Sequence, residues 1–300
     1  MTLDEAFSAY VLFCKAKGLS PRTVDYYTER SAGFRQYIGG STDIRQITPH
    51  LMRQYIESIH GTTTPSTINH NISVVRSMFN FLVDEGCVDS NPTARIKKVR
   101  ERPKVIESVQ PDEVRRLVET CKKTFTDVRD RALIPLLFDT GIRVGEANGI
   151  RLGSLDLREN TLLVSGKTGE RIVPFGLTTR QALNSYLARR GNLVGQDLLF
   201  VSQFGERLDH YAIGLMLRRR RKRAGIEKNI HPHMFRHGAA LEMLRSGASA
   251  LHVKALLGHR TLDMTERYVA LNEADIRDVH RQHSPTDRLK LPTRGRKKLR

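Results

Sequence analysis

The chain has no hydrophobic run long enough to cross a membrane. Its longest, Ala132 to Phe138, falls far short of the ~20 apolar residues a spanning helix needs. The amino terminus lacks the basic segment and apolar core of a secretory signal and opens on Asp4 and Glu5, so a cytoplasmic protein is expected. Cysteine is scarce: Cys14, Cys87 and Cys121 are odd in number and widely spaced, which excludes a Cys-x-x-Cys metal knuckle and fits free thiols in a reducing compartment. Internal repeats are absent, and only the C-terminal tail is biased in composition. Acidic residues are also in short supply: 32 Asp+Glu stand against 50 Lys+Arg, a net charge of +18. Such an imbalance calls for a polyanionic partner.

The excess charge is unevenly placed. Residues 1–98 hold 11 basic and 9 acidic residues, a net of +2, and the remaining 202 carry 39 basic against 23 acidic, a net of +16. Arg218 to Arg223 is an unbroken run of six basic residues, and Arg288 to Arg300 contains seven with no acidic one. Clusters of this kind suit phosphate contacts and counterion release. Either run alone is accounted for equally well by a solvated helix face or a loose tail. No strongly apolar face accompanies the charges, so nucleic acid is the better partner and a membrane surface the poorer one.

At 300 residues, 39% hydrophobic, the chain is long enough for two globular domains. Four helical segments fill the first part. Leu3, Phe7, Tyr10, Val11 and Cys14 form one apolar stripe, and Ser20-Pro21, Thr48-Pro49 and Thr64-Pro65 each join an N-cap to a proline at the first helical position. Asn91-Pro92 and the basic stretch Lys97 to Lys104 read as the exit and an extended linker. Pro111 starts a further helix and another spans about Val128 to Asp139. Thr161–Ser165 and Arg171–Phe175 flank Gly-Lys-Thr-Gly-Glu as a β-hairpin with Lys167 at its turn, the only clear β signal. Helical patterns return from Tyr211, broken at Gly225, Gly247 and Gly258. The expected fold is mainly α with a small β-sheet. Its expected parts are a helical domain (1–98), a linker (99–107), a second domain (108–275) and a basic tail (276–300).

Two features resemble functional sites and are set aside. Gly166-Lys167-Thr168 resembles the end of a nucleotide-phosphate loop, but Thr161 stands where that loop needs glycine and a strand follows instead of a helix. His231, His233 and His237 have no Cys or acidic neighbour, and Arg236 among them would repel a cation, so no metal or cofactor is expected. A different set of residues suits phosphate chemistry. Arg143 follows a glycine turn with Glu146 one helical turn on, and His233 and Arg236 share a helix start whose backbone N–H groups favour an anion. Tyr268 comes nine residues after His259 in an apparently helical segment. Taken singly, each of these residues is more often a surface or packing residue.

Together they resemble a family. The segments TGIRVGE, VSGKTGERIVPF, HPHMFRHGAA and LLGHRTLDMTERYV are similar, in order and spacing, to the signatures of tyrosine site-specific recombinases, the phage integrase family that includes the Xer recombinases. LSPRTVDYYTERSAGFRQYI and the Asn91-Pro92 exit resemble that family's helical core-binding domain, so the likeness spans about residues 1–275. It implies a core-binding domain joined to a tyrosine-recombinase catalytic domain. It also places catalytic positions at Arg143, Lys167, His233, Arg236, His259 and Tyr268. Met234, Phe235 and Gly238 depart from the usual acidic residue, leucine and threonine, and Asn148-Gly149 interrupts a helix that normally carries aliphatics.

The implied chemistry is strand cleavage by Tyr268 through a covalent 3′-phosphotyrosine, with His233 as base, Lys167 as acid and the arginines and His259 on the phosphate. The implied partners are double-stranded DNA bearing specific sites, three further copies in a homotetramer working through a Holliday junction, and accessory bending or directionality proteins. The implied location is the nucleoid when DNA is bound. Helices that begin at residue 3 leave no room for the arm-binding domain of larger phage integrases, which favours a Xer-like or simple mobile-element enzyme. A type IB topoisomerase-like relaxase and a non-catalytic DNA-binding regulator are the alternatives.

Overall fold

The computed structural model describes residues 1–101, 107–166, 169–191 and 197–258. It divides into two compact units, Met1–Lys104 and Val105–Arg300. Among the described residues no helix is long and apolar enough to cross a membrane.

The first unit is built from α1 (Leu3–Ala16), α2 (Pro21–Ile38), α3 (Pro49–Ile59) and α4 (Pro65–Asp84). Their starts follow the chemistry of the sequence. Thr2 and Glu5 form a reciprocal capping box, and Ser20, Thr48 and Thr64 each accept a backbone N–H ahead of a proline. Each such cap is worth about 1 kcal/mol. The inward faces close on a core that includes Leu3, Tyr10, Phe34, Met52, Tyr55, Ile68 and Phe79. Beyond α4 the chain is tied back to it. Asn69 donates to the Val99 carbonyl (2.9 Å) and the Glu101 carboxylate (2.7 Å), and Arg76 donates to the carbonyls of Thr93 (3.0 Å) and Ile96 (2.6 Å).

The second unit runs α5 (Pro111–Glu119), α6 (Phe125–Thr140), α7 (Val144–Ala147), β1 (Leu155–Asp156), β2 (Thr161–Gly166), β3 (Gly169–Pro174), α8 (Leu177–Arg190), α9 (His210–Arg223), α10 (Pro232–Arg245) and α11 (Ala250–Leu257). The strands form one antiparallel sheet in the order β1-β2-β3, with Val164 opposite Arg171 and Gly166 opposite Gly169. The chain is thus mainly helical with a small sheet, as its sequence implies. At the centre lies α6, whose Ala132, Leu133, Ile134, Leu136 and Leu137 are all buried, packed between α8 and α10.

Three features differ from the sequence-based expectation. Periodicity carries little signal for α8, because the face it buries is Thr179, Leu183, Tyr186 and Arg190, of which two are polar. Those polar groups find partners on other elements: Thr179 donates to Asp139 (2.7 Å) and Arg190 to the Leu198 carbonyl (2.9 Å). Next, α6 begins three residues before Val128, because Thr124 and Asp127 form a capping box. Finally, the six-residue basic run does not present a single face. Arg220 turns into the core onto Asp130 (2.6 Å) and Asp127 (2.8 Å), leaving Arg218, Arg219, Lys222 and Arg223 exposed.

Gly238 has a packing reason for departing from threonine. A Cβ there would lie 2.5 Å from the Val109 carbonyl oxygen and 2.9 Å from the Phe138 ring, and the Val109 amide itself donates to the Met234 carbonyl (3.0 Å). The backbone before α5 is therefore seated where a side chain would stand. Gly238→Thr is expected to lower stability by about 1–3 kcal/mol through overpacking, read as a fall in the urea unfolding midpoint. An unchanged midpoint would contradict this account.

Candidate active site

The site begins where α6 stops. Gly141 closes that helix in the left-handed region (φ 59°), and a Cβ there would collide with the Leu257 side chain. Glycine thus allows α11 to press against the turn. The turn delivers Arg143 as the N-cap of α7, and the Glu146 carboxylate reaches back to the Arg143 amide (2.7 Å) and guanidinium (3.0 Å). From β3, Arg171 donates to both oxygens of the same carboxylate (2.7 and 2.9 Å). Glu146 is only 3% exposed. Burial alone would raise its pKa, but hydrogen bonds from Arg171 and from the amide and guanidinium of Arg143, together with the Arg171 charge, outweigh burial and hold it below the usual carboxylate range.

A second guanidinium arrives from α10. Arg236, 4% exposed, lies one turn after the helix start and donates to the carbonyls of Gly141 (2.9 Å) and Leu257 (2.8 Å). Gly258 ends α11 in the left-handed region (φ 67°). The last carbonyls of a helix have no partner within it and carry partial negative charge. Here three in succession are taken by three arginines from three different elements. Leu256 accepts from Arg171 (2.9 Å), Leu257 from Arg236 (2.8 Å) and Gly258 from Arg143 (3.0 Å).

His233 and His237 stand one turn apart on α10. Burial, then the charges of His231, Arg236 and Arg143, lower the pKa of His233. His237 is pushed down to about 4 by burial, then by His233, Arg236 and His231. Both imidazoles are therefore mainly neutral at neutral pH.

Of the six positions expected to be catalytic, the structure brings Arg143, His233 and Arg236 together. Lys167, His259 and Tyr268 lie outside the described residues; in the chain Lys167 follows Gly166 and His259 follows Gly258. Arg171 is a site residue that motif reading passes over. Its signal is the period-2 pattern of β3: Val173 and Phe175 are buried on the same side, and a charged residue in register with them needs a buried partner.

Residues 107–275 match the family described as "Phage integrase family", and residues 6–86 match "Phage integrase, N-terminal SAM-like domain". The chain belongs to the phage integrase family. Among its integrase-family relatives is "Tyrosine recombinase XerC" of Listeria monocytogenes serotype 4b (strain F2365), 31% identical over 94% of this chain and 97% of that protein. "Tyrosine recombinase XerD" of Oceanobacillus iheyensis (strain DSM 14371 / CIP 107618 / JCM 11309 / KCTC 3954 / HTE831) is 31% identical over 90% and 94%. The enzyme is accordingly a Xer-like tyrosine recombinase. A lambda integrase dimer bound to a COC' core site shares its fold, with a TM-score of 0.75 at 19% identity over 89% of this chain and 95% of that one.

The shifted imidazole of His237 has a thermodynamic consequence. In the unfolded chain it titrates near 6.5 and in the fold near 4, so between those values only the unfolded state takes up the proton. The recombinase should keep this contribution to stability in full above about pH 6.5 and lose it as pH falls toward 4. Histidine NMR titration of the folded protein checks it, and a His237 midpoint at or above 6.5 would refute it.

Proposed function

We propose that the chain is a site-specific DNA recombinase that cleaves and rejoins duplex DNA through a 3′-phosphotyrosine intermediate, with Tyr268 as nucleophile. The observation that carries this reading is the convergence of Arg143 and Arg236 on the carbonyls at the end of α11, with His233 near enough to both for their charges to act on it, and with His259 and Tyr268 following α11 in the chain. The net charge of +18 and the likeness in fold to a core-site-bound lambda integrase support DNA as the substrate.

In the proposed reaction the Tyr268 phenol attacks a backbone phosphorus, and the bond from phosphorus to the 5′ oxygen breaks as the bond to tyrosine forms. The phenolic proton passes to His233, which its surroundings keep neutral and so able to accept it. A proton from Lys167 goes to the departing 5′ oxygen. Charge that builds on the non-bridging oxygens is met by Arg143 and Arg236, with His259 as a further donor. The Arg143 side chain is 31% exposed, and a guanidinium has five N–H donors, so contacts to Glu146 and Gly258 leave donors for a phosphate. The tyrosyl ester conserves the phosphodiester energy, so attack by a 5′ hydroxyl of another strand reseals DNA without ATP.

In this reading residues 1–98 are the core-site-binding domain and residues 108–275 the catalytic domain. Four copies exchange strands in two rounds through a Holliday junction, with the 276–300 tail docking on a neighbouring copy. Tyr268→Phe should abolish the covalent adduct on a nicked suicide duplex while DNA affinity stays within about threefold, since one hydroxyl among many phosphate contacts adds little to binding. An adduct formed by that variant would remove Tyr268 from the mechanism. Relaxation of any plasmid without site preference would favour a topoisomerase-like enzyme instead.

A further inference from the structure

Arg171 holds a carboxylate and a helix end at the same time. Two of its nitrogens take the two oxygens of Glu146 and the third takes the Leu256 carbonyl. A buried ion pair kept for stability alone would need only the carboxylate. The third contact makes Leu256 the first of the three consecutive carbonyls that Arg171, Arg236 and Arg143 divide among them. The hairpin also meets Glu146 from its other strand: a Cβ on Gly166 would stand 2.9 Å from Glu146 Oε1. On the far side, a Cβ on Gly258 would lie 3.3 Å from the Arg171 guanidinium carbon, so the helix end and this guanidinium are in near contact.

We propose that Arg171 is a positioning residue for strand cleavage, fixing α7, the β2–β3 hairpin and the end of α11 relative to one another through Glu146 and the Leu256 carbonyl. Each of these elements carries or immediately precedes an expected catalytic position: Arg143 caps α7, Gly166 precedes Lys167, and Gly258 precedes His259. The inference rests on the recombinase reading and extends it to a residue outside the expected set. Arg171 itself touches Glu146 and a backbone carbonyl, so its effect on the phosphate is transmitted through Arg143 and the α11 end. Removing its fork leaves Glu146 with Arg143 alone and the Leu256 carbonyl without this donor. A misplacement of the order of 1 Å among reacting groups costs about a hundredfold in rate.

Lysine at this position tests geometry apart from charge, because an ammonium keeps the charge but lacks the planar fork that spans both carboxylate oxygens. Arg171→Lys should melt close to the wild type and bind the target duplex within about threefold, yet form the tyrosyl adduct on a suicide substrate at least about tenfold more slowly in single turnover. Arg171→Ala should slow cleavage further and also melt lower, which makes the lysine variant the decisive one. Cleavage by Arg171→Lys at the wild-type rate would overturn the proposal. So would a loss matched by an equal loss of affinity or thermal stability, since the role would then be structural. If the wild type formed no adduct at Tyr268, the recombinase reading would fall and this inference with it; an adduct in both proteins at equal rates would sink the positioning role alone.

Discussion

The Glu146 carboxylate is the constraint on which the second unit is arranged. A carboxylate this buried is costly unless its lone pairs are taken up, and here the takers are a backbone amide and two guanidinium groups. Each partner belongs to a different requirement of the fold. The amide bond starts α7, the Arg143 guanidinium is aimed by the same box, and Arg171 draws β3 against the turn after α6. Substituting the carboxylate would thus disturb helix initiation, cation orientation and sheet docking together.

The way the arginines are anchored preserves their charge. Among the described residues, four main-chain carbonyls accept from Arg143, Arg171 and Arg236, and Glu146 is the carboxylate that bonds to Arg143 and Arg171. Three cations against one anion leave a net of two positive charges in the described part of the site. Main-chain dipoles orient a guanidinium without neutralising it, whereas a carboxylate for each arginine would have erased the field. A phosphodiester brings one negative charge and gains another as a nucleophile adds, so the surplus suits the substrate of the proposed reaction. The neutral imidazoles of His233 and His237 fit the same field, since nearby cations disfavour protonation.

Much of this was legible in the sequence, for identifiable reasons. Ser/Thr-Pro pairs and capping boxes are local chemistry, so α1 to α4 begin where those signals stand, and Gly141, Gly225, Gly247 and Gly258 adopt the positive φ that marks helix ends. Arg143, His233 and Arg236 are readable because their spacing within short motifs survives in the chain. What escaped was non-local. The helix α8 buries polar residues whose partners lie 40 residues back or in a later loop, and Arg220 is claimed by Asp130, 90 residues away. Arg171 acts through Glu146, 25 residues earlier, and Leu256, 85 residues later, so no window of local periodicity contains its role.

The departures from the family pattern bear on how such a site tolerates change. Met234 and Phe235 are fully buried, and Gly238 makes room for the Val109 backbone and the Phe138 ring, so all three belong to the packing behind α10. Between Phe235 and Gly238 the same helix carries Arg236, whose acceptors are the carbonyls of Gly141 and Leu257. Carbonyl acceptors are supplied by the main chain whatever side chain stands there. The packing layer can therefore exchange side chains, provided volume is conserved, while the cations keep their anchors. A site held this way depends more on the helix ends and the αL glycines at 141 and 258 than on the identity of the residues around them.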